Sequence, residues 1–200
     1  MARRSDTRER MIAAALDLFG RQGYHATAFS EVVAASGAPR GSIYFHFPGG
    51  KDELAEAVCD AATEELVAIC DEAAARSGSP VAYVRALADV VAARLEASGY
   101  ERGCAIATMV LELAPRSEQL RVAFERCFAQ WRAVMARHLV GWHVPPSAAD
   151  AAAVMIMSTI EGALLISRAM RSVDPLRTAV DQLVERLPAP VVPRRRVRAG

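Results

Sequence analysis

Between Thr27 and Phe47 the chain sets two short apolar patterns on either side of a glycine, and few folds accommodate that arrangement. Phe29, Val32, Val33 and Ser36 fall at i, i+3, i+4 and i+7, the inward face of a short helix. Thr27 is expected to cap its start by accepting a hydrogen bond from an unpaired backbone amide. Gly37 ends it, because the residue past a helix often takes positive φ, which glycine adopts without a Cβ penalty. Pro39 suits the first turn of a second helix, which is expected to continue over 40–46. Ile43 and Phe47 are four apart and point inward, leaving Arg40, Ser42, Tyr44 and His46 outside. The pattern predicts a helix-turn-helix whose second helix is small, polar and aromatic on its outer side, a shape that fits the DNA major groove.

Charge supports that reading only when it is divided along the chain. The whole carries a formal net charge of +1. Residues 1–51 hold seven cations against four carboxylates, a net of +3, and the tail adds Arg194, Arg195, Arg196 and Arg198. The segment between is therefore −6. A basic head on an acidic body is what a DNA-binding module joined to a non-DNA-binding domain shows.

Gly37-Ala-Pro-Arg-Gly-Ser-Ile-Tyr-Phe-His-Phe47, followed by Pro48 and Lys51, resembles the recognition element of TetR-type transcriptional repressors. Two departures stand out: Pro39 replaces a usual capping serine, and Gly49-Gly50 replaces what is in most members a single residue. The Pro-Gly-Gly-Lys form, with Gly103-Cys-Ala-Ile-Ala-Thr108, resembles the LmrA/YxaF-like branch, which implies a drug-like or flavonoid-like effector. The resemblance implies that Thr27, Arg40, Gly41, Ser42, Tyr44, His46 and Lys51 face double-stranded operator DNA. Thr27 and Lys51 are expected on phosphates, as are Tyr44 and His46. Arg40 suits guanine O6 and N7, and Ser42 permits close approach.

The rest of the chain reads as helices. Met1 to Ser5 is expected to be a flexible basic arm, with Arg3 or Arg4 suited to the minor groove. Asp6 and Glu9 have capping-box spacing before the stripe Ile12, Ala15, Leu16 and Phe19, whose helix ends near Gly23. From Lys51 to about Arg76 a long helix starts beside the DNA-reading unit and can act as a lever. Four further long helices and one short one follow. They are expected after Pro80, from about Cys104 to Leu113, through Leu120–Leu139, from Ser147 or Asp150 to about Arg171, and from Asp174-Pro175. The fold class is all-α, with roughly nine helices: a helix-turn-helix domain over 1–53, a helical ligand-binding and dimerisation domain over 54–187, and a disordered basic tail over 188–200.

A pocket for a small hydrophobic or aromatic effector is implied by the resemblance, and Met109, Glu112, Phe128, Trp131, Met135 and Met155 are its expected lining. Ala151 to Ser172 is apolar around more of its circumference than a one-sided helix requires. One side is expected to meet a second copy through Ile160, Gly162 and Ala163, joined by Leu183. Glu161 and Arg168 are two turns apart, placed either to pair or to bridge subunits. The apolar run Ala151–Ile166 is interrupted by Ser158, Thr159, Glu161 and Gly162 and is expected to fall short of a membrane span. No signal peptide is expected at the charged start.

Cys59, Cys70, Cys104 and Cys127 lack metal-ligand spacing and read as buried small hydrophobes in a reducing cytoplasm. No GxSxG, HExxH, phosphate loop or Glu-x-x-His supports catalysis or a cofactor, and His25, His138 and His143 have no evident partner in sequence. The function expected is a homodimeric, ligand-released repressor on a palindromic operator. The competing class is an all-α small-molecule-binding protein or enzyme with a vestigial helix-turn-helix.

Overall fold

The computed structural model describes the backbone of residues 2–190 and the side chains of residues 6–190. Among the described residues there are nine helices and no strand: α1 (Ala2–Gln22), α2 (Phe29–Ser36), α3 (Ile43–His46), α4 (Lys51–Ala75), α5 (Pro80–Ala97), α6 (Ala105–Leu113), α7 (Glu118–Gly141), α8 (Pro146–Met170) and α9 (Asp174–Val184).

Most boundaries follow local chemistry. Ser79 and Ser117 cap α5 and α7 through their hydroxyls, which accept from Ala82 N and Leu120 N at 3.2 and 3.3 Å. Pro80, Pro146 and Pro175 stand in the first turns of their helices, where a missing N–H costs nothing. The cap of α6 is unusual, with Cys104 Sγ accepting from Ala107 N at 3.5 Å.

The start of α1 departs from expectation. Residues 2–5 belong to the helix rather than to an arm, consistent with alanine and arginine being good helix formers. Asp6 is thus inside α1 and pairs with Arg10 at 3.2 Å instead of capping. The minor-groove role of Arg3 or Arg4, and the tail beyond residue 190, lie outside the described side chains.

Two buried clusters form the interior. The first joins α1, α2, α3 and the front half of α4 to α6 and the front half of α7. Phe19 and Phe47 are fully buried there, each worth roughly 2 kcal/mol of transfer free energy. The second joins the back halves of α4 and α7 to α5, α8 and α9. Leu66 and Met157 pack against both. Because α4 and α7 run through both clusters, the helix-turn-helix sits on the body through continuous core.

The helix α8 is longer than its apolar run suggested. Its most apolar 18-residue window has a mean hydropathy of 1.6, enough in length and composition to cross a bilayer, which corrects the expectation that it falls short. Ala149, Ala152, Ala153, Ile156, Ile160, Ala163 and Ser167 instead face the protein interior. Cys59, Cys70 and Cys127 are buried free thiols, and Cys104 is half-buried.

Candidate nucleic-acid interface and ligand cavity

Local bonds hold the helix-turn-helix together. The Glu31 carboxylate accepts from Ala28 N at 2.6 Å at the start of α2, and Gly37 closes it with φ 64°. The turn is tighter than the sequence suggested. Ser42 donates both its hydroxyl and its amide to the Pro39 carbonyl, at 2.7 and 3.1 Å, and Gly41 takes φ 83°. Residues 40–42 are therefore a turn, and α3 is a single helical turn of four residues. Pro39 precedes the turn rather than opening a helix.

This geometry puts Tyr44 and Phe45 outward, 66% and 60% exposed, while Ile43 and Phe47 enter the core. Arg40 and Gly41 are exposed, and Ser42 and His46 are half-buried. Tyr44 meets the edge of Phe29, and Phe45 meets His46 edge-on. Phe45 is a surface aromatic that the sequence reading passed over. Arg8 also escaped it: the guanidinium lies 5.1 Å from the Phe47 ring centroid, bringing a cation from α1 to the flank of α3. Its only sequence signal was a basic residue on the first helix.

Two expected phosphate contacts turn inward. Thr27 is fully buried, and its hydroxyl donates to the Gly23 carbonyl at 2.7 Å, because the 23–27 loop folds back on the end of α1. It does not cap α2. Lys51 donates its ammonium to the Tyr24 carbonyl and lies 4.2 Å from the Tyr24 ring centroid. Burial lowers its pKa, with Glu112, Glu31 and Asp52 opposing that shift. The Tyr24 hydroxyl donates to Asp52, so the first turn of α4 grips Tyr24 from two sides. The paired glycines make this start possible: Gly49 N donates to Glu53 Oε2 at 2.7 Å, and Gly50 takes φ 81°.

A cavity of about 160 Å³ lies in the body, where the two buried clusters meet. Leu16, Leu66, Ile106, Trp131, Met135 and Ile160 are among its walls. Of the residues named as lining, Trp131 and Met135 stand at this cavity, whereas Met109, Glu112, Phe128 and Met155 do not. Met109 is fully buried in the first cluster, and Phe128 packs edge-on against Trp131. Met155 is 48% exposed on the far side of α8. Glu112 points the other way, accepting from His25 N at 2.7 Å.

Glu65, Arg94 and Arg102 line the cavity and went unnoticed in the sequence, and Glu161 joins them there. Arg94 pairs with Glu65 at 2.7 Å, and Arg102 faces Asp17 at 3.7 Å. Glu161 meets Cys104 instead of Arg168, and burial raises the pKa of its carboxyl. Arg168 reaches the Arg21 carbonyl at 2.5 Å, so these two α8 residues do not pair with each other. His138 gains an acid partner in Asp71 at 2.7 Å. No metal-ligating cluster occurs among the described residues.

The expected dimer residues face mostly inward as well. Ile160, Ala163 and Leu183 are buried within the chain, and only Gly162 is exposed. The outer face of α8 instead carries Val154, Met155, Leu165, Ile166 and Met170, each 47% to 66% exposed.

Comparison with known proteins agrees with this architecture. Residues 11–58 match the family model of bacterial regulatory proteins, tetR family, and residues 80–182 match the C-terminal domain of LmrA/YxaF-like transcriptional regulators. An uncharacterized HTH-type transcriptional regulator of Mycobacterium tuberculosis is 35% identical over 88% of this chain and 91% of its own length. The uncharacterized regulator YxaF of Bacillus subtilis is 31% identical over 92% of this chain and 96% of its own. A TetR transcriptional regulator from Chloroflexus aurantiacus superposes with a TM-score of 0.74 at 30% identity, over 92% of this chain and 96% of that one. With a one-turn helix presenting aromatic and basic groups at one end and matches along most of its length, the chain belongs to the TetR family, in its LmrA/YxaF-like branch, and is a DNA-binding transcriptional regulator.

Proposed function

We propose that this protein is a cytoplasmic, homodimeric repressor, released from a palindromic operator by a small apolar effector bound in the body. The observation that carries the reading is the position of the cavity on α4. Ala62, Leu66 and Ile69, in the middle of that helix, line the cavity. Lys51 and Asp52, in its first turn, hold Tyr24 beside the helix-turn-helix. A molecule that displaces the middle of α4 therefore bears on the unit that reads DNA.

Two further attachments run in parallel. Gly103 N donates to Gly20 O at 2.9 Å, and Glu112 accepts from His25 N at 2.7 Å, so both ends of α6 bear on α1 and the loop after it. The effector must bind the released state more tightly than the DNA-fitting state, since equal affinity shifts nothing. The apolar outer face of α8 is the surface offered to a second copy. Two-fold symmetry then places two α3 helices for half-sites about one DNA turn or a multiple apart. Arg40, Gly41, Ser42, Tyr44 and His46 remain the proposed DNA contacts, joined by Phe45 and Arg8. The division at residue 53/54 is retained as functional, with α4 crossing it.

The test is binding to the chain's own upstream intergenic DNA against a scrambled duplex over a salt series. Selective binding whose log affinity falls steeply with log salt is expected. Equal affinity for the two duplexes, before and after refolding to strip bound ligand, would refute the reading.

A further inference from the structure

The cavity also carries information on what it accepts, an inference that rests on the effector-released reading. Trp131 is one of its walls and is only 5% exposed, yet its indole N–H has no acceptor among the described residues. A buried N–H left unpaired is costly, so an acceptor entering from this cavity gains by reaching it; the nitrogen is itself fully covered, and a neighbouring wall side chain moves aside to admit the acceptor. The two guanidiniums at the cavity, those of Arg94 and Arg102, already face Glu65 and Asp17. A carboxylate ligand would have to compete for them. Glu161 shares its carboxyl with the Cys104 thiol, and burial holds it toward the uncharged acid.

Size sets a second limit. The cavity's volume of about 160 Å³ is close to the roughly 150 Å³ of an engineered apolar cavity that holds benzene. Apart from the groups named, its lining is aliphatic, aromatic and thioether side chain. We propose that the effector site takes a compact, uncharged, single-ring molecule whose oxygen accepts the Trp131 Nε1 hydrogen, the chemistry of an aryl ketone or aldehyde. Such a molecule fills the space between α4, α5, α7 and α8 and supplies the acceptor that the fold withholds.

Acetophenone, toluene, benzylamine and benzoate are the probes, titrated by NMR into the 15N-labelled full-length protein without DNA. Acetophenone is expected to bind, moving the Trp131 indole N–H resonance downfield, with the Trp142→Phe variant assigning that resonance. The ratio of acetophenone to toluene affinity is expected to fall about tenfold in Trp131→Phe, corresponding to one lost buried hydrogen bond. The ratio removes the part of the change that comes from altered packing. Should Trp131→Phe fail to fold, the downfield shift in Trp142→Phe decides alone. Tighter binding of benzylamine or benzoate, no binding of acetophenone, or an unmoved indole resonance overturns the proposal. Because these titrations use free protein, selective operator binding without acetophenone binding removes this inference and leaves the regulator reading standing. Loss of operator selectivity in the salt series removes that reading instead.

Discussion

The carboxylate of Glu112 accepts a hydrogen bond from the backbone amide of His25 at 2.7 Å, joining α6 to the loop that leads into the helix-turn-helix. The contact depends on Gly23, where an added Cβ would come within 2.2 Å of the same carboxylate and where φ is 89°. A residue expected in the ligand pocket thus belongs to the junction between reading head and body. Glu112→Gln is expected to cost about 1 kcal/mol in urea unfolding, the scale of one weakened charge-assisted bond. On the effector-released reading proposed above, it should also shrink the drop in operator affinity on effector binding. An unchanged effector response would assign the coupling to α4 alone.

Tyr44 and Arg40 should separate contact from stability. Tyr44→Ala removes an exposed ring, so stability should change by no more than about 0.5 kcal/mol while specific operator binding is lost. Arg40→Ala should weaken operator binding by about 1–3 kcal/mol and relax the preference at one base pair, with little change in the salt slope. Fluorescence anisotropy over a salt series reads both, and normal footprinting by Tyr44→Ala would displace α3 from the groove.

Thr27 gives the opposite expectation. Its hydroxyl is spent on the Gly23 carbonyl, so Thr27→Val should destabilise the fold by about 1 kcal/mol and leave the salt slope unchanged. A slope reduced by one unit would restore Thr27 to the phosphates.

Glu161 should make stability depend on pH. Burial raises its carboxyl above the ordinary 4.5, so above that pH the folded chain keeps a proton that the unfolded chain has released. The contribution is complete below 4.5 and is lost as pH rises through the folded pKa. Glu161→Gln lacks this dependence. Its stability relative to wild type should therefore climb as pH rises above 4.5 and then level off. A flat difference across the range would place the carboxyl in water.

The outer face of α8 is open to a direct test. Leu165→Glu and Ile166→Glu, at residues 66% and 52% exposed, should yield folded monomers by analytical ultracentrifugation. Their operator affinity should drop, because the half-sites are then bound independently. Persistent dimers would move the interface elsewhere.

Residue order alone was enough to place most helices. Apolar spacing, the serine caps at 79 and 117, and prolines in first turns are local signals, and α4 to α9 begin and end within a few residues of where those signals put them. The recognition motif was equally legible, since its glycines, proline and aromatics stand in one contiguous run. Facing was not legible wherever a helix is apolar on several sides. Successive residues turn by about 100°, so on α8 both the inward set with Ile160 and the outward set with Leu165 read as apolar in sequence, the outward one carrying the larger side chains. Only packing against α5, α7 and α9 chose between them. The same holds for polar side chains with a choice of partner: Thr27 found Gly23, Lys51 found Tyr24 and Glu112 found His25. Those partners come together when the loop after α1 lies against α4 and α6, and no spacing within a single helix encodes that approach.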